Sequence, residues 1–233
     1  MSLSIRRHEE IFPAHLHNEP VHLIGAGAIG SRVWAALVEL GLTDLHVYDY
    51  DKVEDHNLAN QIYIAADVGH TKVESLWAWT RAKLGYIPQS MTFNEVKVEY
   101  NPAEQDVNPY FHHTVILAVD SIEARRDILD YITKYDMPVI DVFDTRMAST
   151  HGNVIHVNPM NPLSLERYLN NLPKDEDTEL SACGSTLSVG TTASIIANLA
   201  VWQLMHARFN EAALDKNIEI YLKPLCVSTG EAA

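Results

Sequence analysis

Cysteine is nearly absent from this chain. Two residues, Cys183 and Cys226, stand far apart among 233. A disulfide framework is therefore not expected, and a four-cysteine zinc site within one chain is impossible. The 12 histidines do not fill the gap. The close pairs His15/His17 and His112/His113 have no other ligand types beside them and read as solvated or packed. Cys226, next to Pro224 and Leu225, reads as structural. Basic residues are also scarce. There are 17 Lys and Arg against 31 Asp and Glu, a net charge of −14. Nucleic-acid partners need basic clusters, and anionic membranes need a basic face, so neither is expected. Long apolar runs are missing too. The best stretch, Ser188 to Met205, is interrupted by Gly190, Thr191, Thr192, Ser194, Asn198 and Gln203, so no membrane span is expected. The combination reads as a cytoplasmic protein.

What is present suits one well-filled core. An apolar fraction of 47% over 233 residues is enough for a single large domain, taken as residues 1–233. Apolar or alternating runs fall at 21–24, 45–49, 92–98, 114–119, 138–143, 153–157 and 217–222. Helical patterns fall near 31–40, 71–84, 121–134, 163–171 and 187–208. Strand and helix alternate at first, which predicts an α/β, Rossmann-like, mostly parallel sheet with flanking helices. The connection after Val139 is short, so strands near 153–157 and 217–222 are expected to run antiparallel at one edge. The polar, acid-rich segment from Asn171 to Glu179 is the expected mobile loop.

Chemistry concentrates near the N-terminal side. The run Val21-His22-Leu23-Ile24 leads directly into Gly25-Ala26-Gly27-Ala28-Ile29-Gly30. Gly25 lets the chain turn out of the strand, Gly27 lets backbone approach a phosphate, and Gly30 lets the next helix pack closely. The helix then aims its N-terminal amides and dipole at an anion. A lone Gly-rich turn is a weak signal, and an ordinary strand–helix turn would look similar. Here a strand precedes it, a helix follows, and Asp49 ends the next apolar run, where a carboxylate can accept a ribose diol. That much fits NAD as well as ATP.

The following residues separate the two. Asp49-Tyr50-Asp51, Val53, Asn57-Leu58 and Gln61 resemble the D-x-D-x-V-x-x-x-N-L-x-R-Q signature of the ThiF/MoeB/HesA family, the ubiquitin-activating-type adenylyltransferases. Gly69-x-x-Lys72-Val73-Glu74-Ser75 resembles that family's G-x-x-K-V-E-S element. The run Val115 to Val119 ending in Asp120, with Arg125 beyond it, resembles the family's strand with a metal-binding aspartate. In the second half, Asp144-x-Arg146-Met147, Tyr168-x-x-x-Leu172 and Cys183 resemble small single-domain ThiF-type proteins of bacteria and phages.

The resemblance implies an enzyme in which a protein's C-terminal carboxylate attacks the α-phosphate of ATP. Both reactants are anionic, so catalysis must neutralise charge and hold the groups in line. It implies that Lys72 is the catalytic cation and Asp120 the Mg²⁺ ligand. Gly25, Gly27, Gly30, Asp49, Asp51, Asn57 and Gln61 would complete the nucleotide site. The bland readings are a surface lysine at 72 and a helix cap at Asp120. Cys183 stands where relatives that form thioesters or acyl-disulfides carry their cysteine. A helix N-terminus favours the thiolate there, whereas the acidic run Asp175 to Glu179 opposes it. A small buried residue is the alternative.

Two departures matter. Asn60 replaces the family's arginine, so one phosphate-binding guanidinium is missing. Arg6 or Arg7, reaching across a dimer, or Arg146 could supply it. No zinc is expected. The implied cofactors are ATP and Mg²⁺, the implied partner a small ubiquitin-like or sulfur-carrier protein, and the implied assembly a homodimer. A nucleotide-binding module without transfer activity and an NAD-dependent oxidoreductase are the alternatives.

Overall fold

The computed structural model describes residues 3–98, 109–173, 189–209 and 217–230. Its strands are β1 (Val21–Ile24), β2 (Leu45–Tyr48), β3 (Thr92–Asn94), β4 (His113–Leu117), β5 (Val139–Met147), β6 (His151–Val157), β7 (Asn217–Leu222) and β8 (Leu225–Gly230). The helices are α1 (Gly30–Leu40), α2 (Lys72–Leu84), α3 (Ile122–Lys134), α4 (Pro162–Asn170) and α5 (Gly190–Phe209). One sheet holds all eight strands in the order β3-β2-β1-β4-β5-β6-β7-β8. The pairings from β3 through β5 are parallel, and those from β5 through β8 are antiparallel.

The parallel half explains its own sequence. All four residues of β1 are buried, because helices cover both faces and leave no position for a polar alternation. On one face Trp34, Leu37, Leu76, Ile196 and Leu204 close an apolar core beneath α1, α2 and α5. On the other, Phe111, Leu117, Ile128, Leu129 and Tyr168 close a second core beneath α3 and α4. The chain runs outward from β1 to β2 and β3, then returns to β4 on the other side. That reversal leaves a crevice at the carboxyl ends of β1 and β4, where α/β sheets bind ligands.

The antiparallel edge is as expected, but three details differ. The run at 92–98 forms a strand only over Thr92–Asn94, because Val96 N–H turns back to Asn94 O and leaves the ladder. The strand expected at 138–143 continues to Met147, held by pairing to β6 on its outer side. An unexpected eighth strand follows β7, with every residue exposed, so no buried alternation marked it in the sequence. Cys226 lies on it as an exposed free thiol, which corrects its reading as a structural residue. The loop expected from Asn171 falls largely outside the described residues.

Candidate active site

The crevice opens into a cavity of about 1510 Å³. Gly25, Gly27, Asp49, Asp51, Asn57, Gln61, Lys72 and Asp120, expected from sequence to share one site, all line it. Gly30 lies just behind them at the start of α1.

The glycine turn is sterically compulsory. Gly25 has φ +94°, and a Cβ there would come 2.5 Å from Ala118 O. A Cβ on Gly30 would strike Gly25 O at 1.9 Å. Gly27 is different: a Cβ would meet nothing within 4 Å. It faces open space in the cavity wall, so a side chain there would occupy room that a phosphate could take. Two groups that brace this turn carry no recognised motif or were assigned another task. Tyr63 Oη donates to Ala26 O at 2.7 Å. Asp49 Oδ2 accepts from Ala26 N at 2.6 Å, and its Oδ1 accepts from Asp51 N at 2.8 Å. Asp49 is thus 8% exposed and organises backbone in addition to any ribose contact. Burial raises its pKa, against the pull of Lys72 and the two backbone donors.

The lysine element is a helix start. Thr71 is the N-cap of α2. Its side chain accepts from Glu74 N, while Glu74 Oε2 accepts from Thr71 N at 3.1 Å. This reciprocal cap gives the glutamate of the motif a structural task. Val73 enters the core, and Ser75 Oγ donates to Thr71 O. Strapping backbone bonds join the helix start to the β2 exit: Lys72 N to Asp51 O, Val53 N to His70 O, and Gly69 N to Val53 O. Lys72 is therefore fixed at the first helical position with its Nζ 2.6 Å from Asp51 Oδ2 and 3.8 Å from Asp49 Oδ2. At 7% exposed, it is not a surface lysine.

Asp120 is exposed on the opposite lip, and it is not the helix cap. That role belongs to Ser121, whose Oγ accepts from Ala124 N at 3.1 Å. The β4 exit is held by Arg125, which donates to Val119 O at 2.6 Å, Thr145 O at 2.8 Å and Asp144 Oδ1 at 2.8 Å. Asp144 also takes Arg146 at 2.6 Å and the Tyr168 hydroxyl at 2.7 Å. The guanidinium of Arg146 lies over the Tyr168 ring. Burial opposes the Arg146 cation, but the charges and hydrogen bonds of Asp144 and Tyr168 together outweigh it and the pKa is raised. The Asp144, Arg146 and Tyr168 positions quoted from sequence are thus one buried cluster. Its two arginines and one aspartate leave a net positive charge beside Asp120.

Asn57 is buried in a 3-10 turn, and its Oδ1 accepts from Glu54 N at 2.9 Å. Gln61 Oε1 is buried with no hydrogen-bond partner among the described residues. Arg6 and Arg7 are exposed and lie at the far end of α1, where His8 Nε2 donates to Leu40 O and Ile5 packs against Gly41. They do not reach the cavity of their own chain. Cys183 lies outside the described residues. Among the described residues, no group of three His, Cys, Asp or Glu side chains is placed to hold a metal ion. A divalent cation here would use Asp120 together with phosphate oxygens.

A model of the ThiF family matches residues 4–223. The chain belongs to the ThiF family. Two curated relatives of this ThiF-family protein are the Nedd8-activating enzyme E1 catalytic subunit of Drosophila melanogaster and tRNA threonylcarbamoyladenosine dehydratase 2 of Saccharomyces cerevisiae. The first is 31% identical over 110 residues, 46% of this chain and 23% of that protein. The second is 28% identical over 126 residues, 54% of this chain and 28% of that protein. The chain thus spans well under half of either relative. Among solved structures, E. coli MccB with AMPCPP and MccA has the same fold, with a TM-score of 0.70 at 15% identity over 94% of this chain and 65% of that one. PaaA is similar, with a TM-score of 0.65 at 16% identity over 93% of this chain and 65% of that one. No described helix is long and apolar enough to cross a membrane.

Proposed function

We propose that this protein is an ATP-dependent adenylyltransferase that activates the C-terminal carboxylate of a small ubiquitin-like or sulfur-carrier protein. The observation that carries the reading is the convergence of the open Gly27 wall, buried Lys72 and exposed Asp120 around one cavity at the strand ends. An NAD site would be served by the glycine turn and Asp49, but it gives no reason for a lysine strapped to the β2 exit. Bound ATP would supply the electrophilic α-phosphorus and a pyrophosphate leaving group. The chain's part is to receive those anions. The α1 amides and Gly27 wall would cradle phosphate, Lys72 would neutralise developing charge, and Asp120 would hold Mg²⁺, which supplies further charge neutralisation.

Arg6 and Arg7 sit too far along α1 to serve their own site, so any phosphate contact by them requires a second copy. The second copy would form a homodimer in which each N-terminal turn serves the neighbouring cavity. Cys183 is kept as a candidate acyl acceptor. Pro173 and Val189, the described residues on either side of its segment, both line the cavity.

The deciding experiment is calorimetry with ATP and NAD, with and without Mg²⁺, followed by pyrophosphate exchange using synthetic peptides that end in a Gly-Gly carboxylate. Mg²⁺-dependent ATP binding with peptide-stimulated exchange is expected. NAD binding without ATP binding would overturn the reading. ATP binding with no exchange for any carboxylate would leave a nucleotide-binding module instead.

A further inference from the structure

Arg32 is a cation without a counter-ion among the described residues. It is the third residue of α1, partly buried, and its Nη2 makes a long bond to Asn60 O at 3.4 Å. Its Nε is buried with no hydrogen-bond partner among the described residues. Burial lowers its pKa. The other buried cations differ. Lys72 pairs with Asp51, Arg125 and Arg146 pair with Asp144, and Arg208 pairs with Glu19. A partly desolvated guanidinium with spare donors loses hydration and gains little in return. An incoming anion would reverse that balance.

The position of Arg32 says which anion. Its acceptor, Asn60, lines the cavity, and so does Gly190 on the other side. A Cβ on Gly190 would come within 3.1 Å of Arg32 Nη2 and 3.3 Å of Ala59 O. The guanidinium therefore packs against the turn at 59–60 and the start of α5, behind the Asn60 and Gly190 lining of the cavity. Asn60 is also the position at which the family signature carries arginine. A guanidinium is missing at 60, and another reaches the same backbone from α1. Gln61 Oε1, next in the chain, is also buried and has no partner among the described residues. Within their own chain Arg6 and Arg7 are remote from this cavity, and Arg146 is already bound to Asp144.

We propose that Arg32 supplies the guanidinium that binds the outer phosphates of the nucleotide, in place of an arginine at position 60. The inference rests on the ATP reading above. The outer phosphates are favoured because Asp49 marks the opposite, β2 side of the glycine turn. A purely structural role is the competing account: Arg32 would only tie the 59–60 turn to α1.

Two variants separate these accounts. Arg32→Gln keeps an amide donor for Asn60 O but removes the charge. Arg32→Gln/Asn60→Arg moves the charge to position 60. Affinities for AMPCPP and AMP are measured by calorimetry, with melting temperature recorded in parallel. Loss of a charge-assisted contact predicts about a 10- to 100-fold weaker AMPCPP affinity in Arg32→Gln, with AMP changed less than about twofold. The double variant should recover most of the AMPCPP affinity. Unchanged AMPCPP binding in Arg32→Gln overturns the proposal. So does a parallel loss of AMPCPP and AMP affinity with a lowered melting temperature. A wild-type protein that binds neither ATP nor AMPCPP removes the adenylyltransferase reading itself, and is recognised before any variant is compared.

Discussion

Asp144 joins the two halves of the site, and its removal should be costly by an amount the structure allows one to work out. It is fully buried and accepts from Arg125 Nε at 2.8 Å, Arg146 at 2.6 Å and the Tyr168 hydroxyl at 2.7 Å. Asp144→Ala leaves two guanidinium groups without a carboxylate. Breaking a buried ion pair from one side typically costs about 3–5 kcal/mol. Arg125 keeps its bonds to Val119 O and Thr145 O, and Arg146 can turn toward the cavity, both of which favour the lower end. The stranded Tyr168 hydroxyl adds about 1 kcal/mol. The expected loss is therefore about 3–4 kcal/mol, or a melting temperature lower by about 10 °C for a domain of this size. Asp144→Asn keeps the shape and one acceptor, and should lose about half as much. Adding Arg146→Leu to Asp144→Ala removes one uncompensated charge, so the double variant should be less destabilised than the sum by at least about 1 kcal/mol. Urea unfolding at pH 7 with an unchanged m-value is the assay. Since Arg125 also holds Val119 O, next to Asp120, Asp144→Asn should raise the Mg²⁺ concentration needed for nucleotide binding. A loss below about 1 kcal/mol in Asp144→Ala, or strict additivity in the double variant, would refute this account of the cluster.

Further outcomes are expected. Lys72→Ala should lower kcat/KM in pyrophosphate exchange by about 2–4 kcal/mol of transition-state stabilisation; unchanged turnover would remove Lys72 from catalysis. Cys183→Ser should still form the adenylate but block transfer to a thiol, and full reaction by protein alkylated at Cys183 would exclude the nucleophile. For the dimer, Arg6→Ala/Arg7→Ala and Lys72→Ala proteins, each inactive alone, should regain activity when mixed; no recovery despite subunit exchange would reject a shared site. Acid stability should depend on His22, which burial, reinforced by His46 and His112, holds at a pKa of about 3 against an ordinary 6.5. The folded state then binds fewer protons than the unfolded one, so stability is full above about pH 6.5 and falls as pH drops toward 3. At pH 5 the loss from this group is about 2 kcal/mol. His22→Gln should flatten that acid slope in denaturant titrations at pH 5 and 7; an unaltered slope would assign it to other groups.

Several features of the fold and site were legible in local patterns. The Gly25–Gly30 turn was readable because its steric demands involve residues adjacent in sequence. Lys72 was readable because a helix start and its cap lie within a few residues. Cys226 and β8 were misread because burial is their missing signal: an exposed edge strand has no apolar alternation. Asp120 could not be separated from a helix cap by sequence, since Asp and Ser are both good caps. Only the hydrogen bond from Ala124 to Ser121 assigns that role.

The sequence by itself determined the alternation of strands and helices, the glycine turn and the short elements that mark the family, because each depends on neighbours a few positions apart. Tertiary structure decided the rest. It brought Asp51 to Lys72, Arg125 to Asp144, and Tyr168 to the same carboxylate, pairs separated by turns and whole elements. It also left Arg32 without a carboxylate among the described residues and put Arg6 and Arg7 at the end of α1 away from their own cavity. The physical reason is that a charge acts through distance and burial. Sequence spacing fixes neither once the chain has crossed from one strand to another.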